Sequence, residues 1–381
     1  MLSAILPNLS NYFIGIMSGT SLDGVDCVLS TIDSKGQCQY ISHVSRPYSA
    51  QMREQFLTLQ SPSTNELHLE ALSANDLAIE YAHAIQALLE LTGIRADQIA
   101  AIGAHGQTIR HQPSKTLQLA YTWQSLNSSL LAELTSINVI SDFRTRDIAA
   151  GGQGAPLVPA FHAAQFRSDL PIAILNLGGI ANLTLLEPNK PVLGFDTGPA
   201  NVLLNDWIYK NLQLPYDENG DWSKLGQILP NILESMLSEP YFTAPIPKST
   251  GRDLFHLDWL MKHLPHDNMP LAPDIQASLV ELTAISVARQ LHHYLPSSSE
   301  VIACGGGVQN RYLMERIEIH CQDLIPNIEL STTQKYGIDP QTVESLAFAW
   351  LAWCFVKGLP GNLTSVTGAK SPKILGAFYP K

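Results

Sequence analysis

Residues 12–26 read Y-F-I-G-I-M-S-G-T-S-L-D-G-V-D. The first six form an apolar run with the length and residue types of a buried strand. It breaks into Ser18-Gly19-Thr20-Ser21-Leu22-Asp23-Gly24, and apolar residues resume at Val25, Cys27, Val28 and Leu29. The pattern predicts a hairpin whose turn is rich in glycine and hydroxyl groups. Such a turn is either a tight connection carrying two surface acids, or a place where backbone N–H groups and the Ser18, Thr20 and Ser21 hydroxyls meet an anion such as a nucleotide phosphate. Asp23 and Asp26 add carboxylates able to hold Mg²⁺ through water.

The arrangement recurs. Residues 172–177 are an apolar run, Gly178-Gly179 is a turn, and Ile180, Leu183, Leu185 and Leu186 continue as a second strand. A third short strand, 192–195, runs into Asp196-Thr197-Gly198-Pro199. No long stretch of sequence repeats, so the order of elements points to an internally duplicated sheet-plus-helices unit. Between the halves, the charged Asp142-Phe143-Arg144-Thr145-Arg146-Asp147 gives way to Gly151-Gly152-Gln153-Gly154-Ala155-Pro156, a candidate boundary and hinge. This divides the chain into 1–145, to which the segment 360–381 can return, and 146–359.

Other elements follow from period and punctuation. Strands are expected at 39–44, 99–103, 117–121, 138–140 and 301–303. Helices are expected at 64–91, stopped by Gly93, and at 123–134, 159–166, 202–212 and 310–320, with another capped by Asp274. Residues 343–356 are apolar almost all round and predict a buried helix.

The 381 residues suit two domains. A content of 45% hydrophobic and 15% charged residues describes a well-cored chain, and a net charge of −11 opposes binding to nucleic acid or anionic lipid. The five cysteines are widely spaced without a CxxC pair, which predicts free thiols and no zinc site. No basic leader and no run of the roughly 18 apolar residues that a membrane span needs is evident, so a cytoplasmic location is expected.

Three glycine turns each follow an apolar strand: Gly19 to Gly24, Gly178-Gly179, and Gly305-Gly306-Gly307. None is a Walker A loop, because no lysine follows Gly19 or Gly24. Gly305 and Gly307 fit a dinucleotide fingerprint, but Asn310 stands at its third glycine. Asp196, at a strand end before Gly198-Pro199, is the first candidate for a catalytic base, or else a partner for the helix that follows it. Asp147, Asp23 and Asp26 are weaker candidates for that role. Arg144 and Arg146 would share a face on a strand and either could grip a carboxylate or phosphate, or pair with Asp142 or Asp147. His105, in Ala104-His105-Gly106-Gln107-Thr108, could orient a substrate hydroxyl or be a satisfied structural histidine. Glu344 opens an apolar helix, where the helix dipole favours a carboxylate.

The stretches MSGTSLDGVD, GAHGQTIRHQP, DFRTRDIAAGGQGAPLVP, NLGGIANLT, GFDTGPANVLLNDW, KSTGRDLF, GGGVQN and DPQTVESLAFAWLA occur in this order from residue 17 to about 352. Together they resemble the anhydro-N-acetylmuramic acid kinases, of the sugar-kinase, actin and heat-shock-chaperone ATPase superfamily. The resemblance implies an actin-like, ribonuclease H-like α/β fold of two domains, each a mixed five-stranded sheet flanked by helices, with ATP in the cleft between them. It implies that Gly19, Thr20, Ser21, Leu22, Asp23, Gly24, Val25 and Asp26 hold phosphates with Mg²⁺ at Asp23 and Asp26. Gly178 and Gly179 would form a second phosphate turn, and Gly305, Gly306 and Gly307 would pack near the adenosine. Asp196 matches the family's catalytic aspartate, and His105, Thr108, Arg144 and Glu344 fall among sugar contacts. The implied reaction opens the 1,6-anhydro bridge of 1,6-anhydro-N-acetylmuramic acid with water and phosphorylates O6 from ATP, in peptidoglycan recycling and amino-sugar catabolism. A homodimer is implied too. An ordinary sugar kinase without ring opening and a non-enzymatic ATP switch are the alternatives.

Overall fold

The computed structural model describes residues 10–19, 22–114, 116–265 and 267–381. The chain divides into two compact units, one running through Arg167 and including Thr342–Lys381, the other Ser168–Gln341. These boundaries differ from the expected 145/146 and 359/360. The helix Val158–Gln165 belongs with the first unit because its end is tied to the start of a strand there. Gln165 Oε1 accepts from Cys38 N at 2.9 Å, and Gln165 Nε2 donates to Cys38 O at 3.1 Å.

In the first unit, β1 (Tyr12–Met17), β2 (Gly24–Ile32) and β3 (Cys38–Pro47) form an antiparallel meander. β4 (Ile99–Ala104) lies parallel to β1. The polar segment after it is a hairpin, β5 (Gln107–Gln112) with β6 (Tyr121–Ser125), and β7 (Val139–Ser141) then joins β4 in parallel. The second unit repeats the plan. β8 (Ile172–Leu177), β9 (Ile180–Leu186) and β10 (Leu193–Pro199) are an antiparallel meander, and β11 (Glu300–Cys304) and β12 (Glu329–Thr332) add in parallel. The orders β3-β2-β1-β4-β7 and β10-β9-β8-β11-β12 are the same permutation. This duplicated mixed sheet flanked by helices is the actin-like ATPase fold. The first sheet gains a sixth strand, β13 (Ala377–Tyr379), antiparallel to β7.

Some local expectations change. Residues 117–121 are turn up to β6, and Trp123 is a strand residue opposite Arg110, so the helix expected from 123 is Ser128–Thr135. Asn127 caps it, its side chain accepting from Leu130 N. A helix at Ala50–Leu59 was not legible. Asp274 is not a cap: Leu271 takes that place, and Asp274 Oδ1 accepts from Gln227 N at 2.7 Å. All five cysteines are buried and free.

The helix Val343–Lys357 is buried along most of its length and packs on β1, β4 and β2. Gly15 on β1 and Gly103 on β4 are register partners beneath it. A Cβ on Gly15 would stand 1.8 Å from Ser345 O, and one on Gly103 would stand 2.0 Å from Phe348 O. Both obstacles are backbone atoms of a helix, which no rotamer change can move. Gly15→Ala and Gly103→Ala are therefore each expected to destabilise the fold by more than about 3 kcal/mol. Gly306→Ala, with nothing within 4 Å of its Cβ position, should stay within about 0.5 kcal/mol. Urea unfolding checks both, and a tolerated Gly15→Ala would refute the close approach.

Candidate active site

The first glycine turn is held from below. Ser18 Oγ lies 3.0 Å from Tyr81 Oη, and Gln107 Nε2 donates to Gly19 O at 3.1 Å. Gln107 Oε1 in turn accepts from Tyr48 Oη at 3.1 Å. Leu22 N closes the turn on Gly19 O at 3.2 Å. Leu22 itself has φ +57° with its side chain in the core, so a non-glycine residue is kept in the left-handed region beside the turn. Gly24 is required by packing, since its Cβ would meet Arg46 O at 2.3 Å. Val25 is core. Thr20 and Ser21 lie outside the described residues.

Asp23 is exposed, and Asp26 faces Ser45 across the β2–β3 pair, accepting from its hydroxyl at 2.5 Å. Burial raises the Asp26 carboxyl above its ordinary range. The Ser45 hydrogen bond opposes that rise, and the Asp23 charge adds to it. Two nearby like charges of this kind are relieved by a cation. Among the described residues no three His, Cys, Asp or Glu side chains gather as a metal cage.

The structure brings His105, Arg144 and Glu344 together but not in the geometry expected for a strand. Arg144 is the N-terminal cap of a short helix, Thr145–Ala149, so Arg144 and Arg146 do not share a strand face. Arg144 Nε donates to His105 Nε2 at 3.0 Å, and Nη1 donates to Gly154 O at 2.9 Å. Because Nε2 accepts, the neutral ring carries its proton on Nδ1. Burial, reinforced by the Arg144 charge, holds His105 well below its ordinary pKa. Burial lowers Arg144 to about 10, against the charges of Glu344 and Asp147, which favour the cation. The His105 ring rests on Phe348 with centroids 4.7 Å apart. Thr108 sits on β5, its hydroxyl accepting from Gln124 Nε2 at 3.2 Å. Asp147 is committed elsewhere. Oδ1 accepts from Asn362 Nδ2 at 2.6 Å and Thr367 Oγ1 at 2.8 Å, and Oδ2 accepts from Gly154 N at 2.8 Å.

In the second unit Asp196 lies within β10 rather than at its end, at a register shift against β9 between Asp196 and Gly198. Its backbone is pinned on both sides, N donating to Lys248 O at 3.2 Å and O accepting from Tyr241 Oη at 2.8 Å. Asp196 Oδ2 accepts from Thr250 N at 2.9 Å. No hydrogen-bond donor reaches Oδ1 among the described residues. Burial pushes the carboxyl up to about 6, with the Thr250 N–H and the Lys248 ammonium pulling the other way. Lys248 lies 4.8 Å over the Tyr241 ring. Lys248 and Thr250 were not foreseen as site residues, although the segment Lys248-Ser249-Thr250-Gly251 was visible as a loop.

The glycine turns of this unit separate into two kinds. A Cβ on Gly305, whose φ is +86°, would meet Asn176 Oδ1 at 2.4 Å, and one on Gly307 would meet Leu177 Cβ at 2.7 Å. These two are needed for packing. Gly178 and Gly179 have no atom closer than 3.6 Å and 3.8 Å, and Gly306 has none within 4 Å. Among the described residues, no close contact requires glycine at these three.

The sequence model of the family described as anhydro-N-acetylmuramic acid kinase matches residues 11–381. A protein of that name from Cupriavidus metallidurans is 46% identical, covering 98% of this chain and 99% of its own. One from Variovorax paradoxus is 46% identical, covering 97% and 98%. One from Bordetella pertussis is 47% identical, covering 97% and 96%.

A ¹³C titration of the Asp196 carboxyl is expected to give a midpoint at about 6 rather than the ordinary 3.8. The folded chain then holds a proton that the unfolded chain has released. This group alone should lower stability as pH rises from 3.8 to about 6. Asp196→Asn should flatten that part of the stability–pH curve. A midpoint near 3.8 would refute the burial account.

Proposed function

Because the chain belongs to the anhydro-N-acetylmuramic acid kinase family, and so is an ATP-dependent kinase of amino-sugar metabolism and peptidoglycan recycling, we propose that Asp196 is its catalytic base. One observation carries this assignment: Asp196 has one oxygen fixed by Thr250 N and the other without a donor among the described residues. A carboxylate so oriented, with its pKa raised to about 6, is matched to accepting a proton near neutral pH.

In the proposed reaction Asp196 Oδ1 takes a proton from water as the water oxygen bonds to C1 of the 1,6-anhydro sugar. The C1–O6 bond breaks with its electron pair going to O6. O6 then bonds to the γ-phosphorus of ATP, the bond to the β,γ-bridging oxygen breaks, and ADP leaves. The products are N-acetylmuramic acid 6-phosphate, ADP and the proton on Asp196, which passes to solvent. General-base assistance accounts for roughly 10²–10⁴ of the rate, and positioning with charge stabilisation for much of the remainder.

His105, Thr108, Arg144 and Glu344 are assigned to the sugar. Arg144, braced through Nε and Nη1, keeps its remaining guanidinium N–H groups for an acceptor on the substrate. Gly19 with residues 20–26, Gly178-Gly179 and Gly305 to Gly307 are assigned to ATP. The open Cβ positions of Gly178, Gly179 and Gly306 support the assignment, because a nucleotide can approach that backbone closely. Asp23 and Asp26 fit Mg²⁺, which takes one or two carboxylates and completes its shell with phosphate oxygens and water. When bound, Mg²⁺ supplies neutralising charge to the phosphates.

Asp196→Asn is expected to bind ADP like the parent while turnover falls by at least about 10². In the parent, kcat/KM for the sugar should fall about tenfold per pH unit below about 6. In ¹⁸O-labelled water the phosphorylated product should carry one labelled oxygen at C1. Near-normal turnover of Asp196→Asn would end the assignment of the base, and an unlabelled product would favour a kinase without ring opening.

No helix among the described residues is long and apolar enough to cross a membrane. We assign the enzyme to the cytoplasm as a homodimer, for which light scattering should give twice the chain mass. A monomer at micromolar concentration would refute the dimer.

A further inference from the structure

We propose that the first unit carries a second anion site, separate from the residues assigned to sugar and ATP, that takes the phosphate group of a small phosphate monoester. The site is a pocket of about 300 Å³ lined by Arg146, Ala149, Ala150, Lys370, Ser371 and Lys373. Three of the six lining residues are cations and one is a hydroxyl donor. None is acidic, in a chain where Asp and Glu outnumber Lys and Arg 34 to 23.

The cations have no acidic partner of their own. Among the described residues, Arg146, Lys370 and Lys373 form no ion pair. The nearest acid in sequence, Asp147, is buried with both oxygens taken by Asn362, Thr367 and Gly154. The helix end beside the pocket does not explain them either. The last carbonyls of Thr145–Ala149 are already occupied: Arg146 O and Asp147 O accept from Ala150 N, and Ile148 O accepts from Gly151 N.

The walls are fixed before any ligand arrives. Lys370 N donates to Ala150 O at 3.0 Å, Gln153 N donates to Thr367 O at 2.8 Å, and Lys373 N donates to Asn362 Oδ1 at 2.7 Å. Lys370 lies along Gly151, its Cε 3.4 Å from the Cβ position there. Backbone bonds thus hold three like charges around one concavity, a repulsion that a dianion relieves. Arg146 offers a planar fork and the two lysines offer point charges, a combination suited to phosphate oxygens. The volume admits a phosphate with a sugar-sized body.

The test uses the full chain saturated with Mg-ADP, so that the nucleotide site is filled. Inorganic phosphate and glucose 6-phosphate are each titrated and followed by ³¹P line broadening of the added ligand. Both are expected to bind, more weakly as NaCl is raised. The Lys370→Ala/Lys373→Ala double variant is expected to lose at least tenfold in affinity for both, with its KM values for ATP and the anhydro sugar unchanged. Tighter binding of glucose 6-phosphate than of inorganic phosphate is expected for an ester site, and equal or tighter binding of inorganic phosphate would overturn the ester as its ligand. Parent-like binding by the double variant would overturn the proposal, as would absence of binding in the parent. A parallel loss of turnover in the double variant would also overturn it, by making the pocket part of the substrate site.

Discussion

The first unit depends on a contact between two backbones. Gly15 and Gly103 are partners on adjacent parallel strands, and the helix Val343–Lys357 lies in the dent they leave. A dent of this kind brings helix and sheet closer than side chains would permit, and it fixes the helix in translation as well as in angle. The candidate site residues inherit that precision. Phe348 on the helix meets the rings of His105 and Phe143 at 4.7 Å and 5.7 Å. His105 accepts from Arg144, and Glu344 in the first turn of the same helix lends its charge to that guanidinium. A shift of the helix along its axis would disturb all of these at once.

Asp147, which is buried, and Asp196, which is half-buried, show how the number of donors sets two aspartates apart. Asp147 accepts three hydrogen bonds shared between both oxygens, from groups on either side of the chain's return to this unit. Its oxygens are spent on joining residues 362 and 367 to the loop at 154. Asp196 accepts one, from Thr250 N, in surroundings that desolvate it more than its partners compensate. The first pattern cross-links the chain, and the second leaves a carboxyl with a raised pKa and an oxygen open to a ligand.

Much of this was legible in the chain. β1 and β8 begin and end where the apolar runs do, because a strand buried on both faces writes a near-continuous hydrophobic string. The duplicated order of elements followed from those runs and their glycine breaks. The hairpin of β5 and β6 is less legible, since Leu117 and Trp123 are exposed apolar residues that mimic a buried strand and the start of a core-facing helix. The helix at Ala50–Leu59 buries only Met52, Phe56 and Leu59, a weak stripe in a polar stretch. The boundary between the compact units is hidden for a related reason. Gln165 ties its helix to Cys38 across 127 residues of sequence, and nothing local announces such a bond. Motif residues were found, while the groups that brace them, Gln107 under Gly19 and Thr250 beside Asp196, act through backbone atoms that no residue pattern displays.

Glycine itself carried the sequence reading, and the structure shows that it stands for more than one constraint. At positions 15, 24, 103, 305 and 307 a Cβ would strike the protein, so packing alone demands glycine there. At 178, 179 and 306 it would strike nothing. Glycine in an unstrained, open position loses conformational entropy on folding that alanine would not, with no packing gain to offset it. Its presence at the mouths of two turns, each after a buried central strand, therefore calls for a reason outside the folded chain. The phosphate or base proposed to lie against that backbone would be such a reason, and it would account for these three positions without invoking the five that packing already explains.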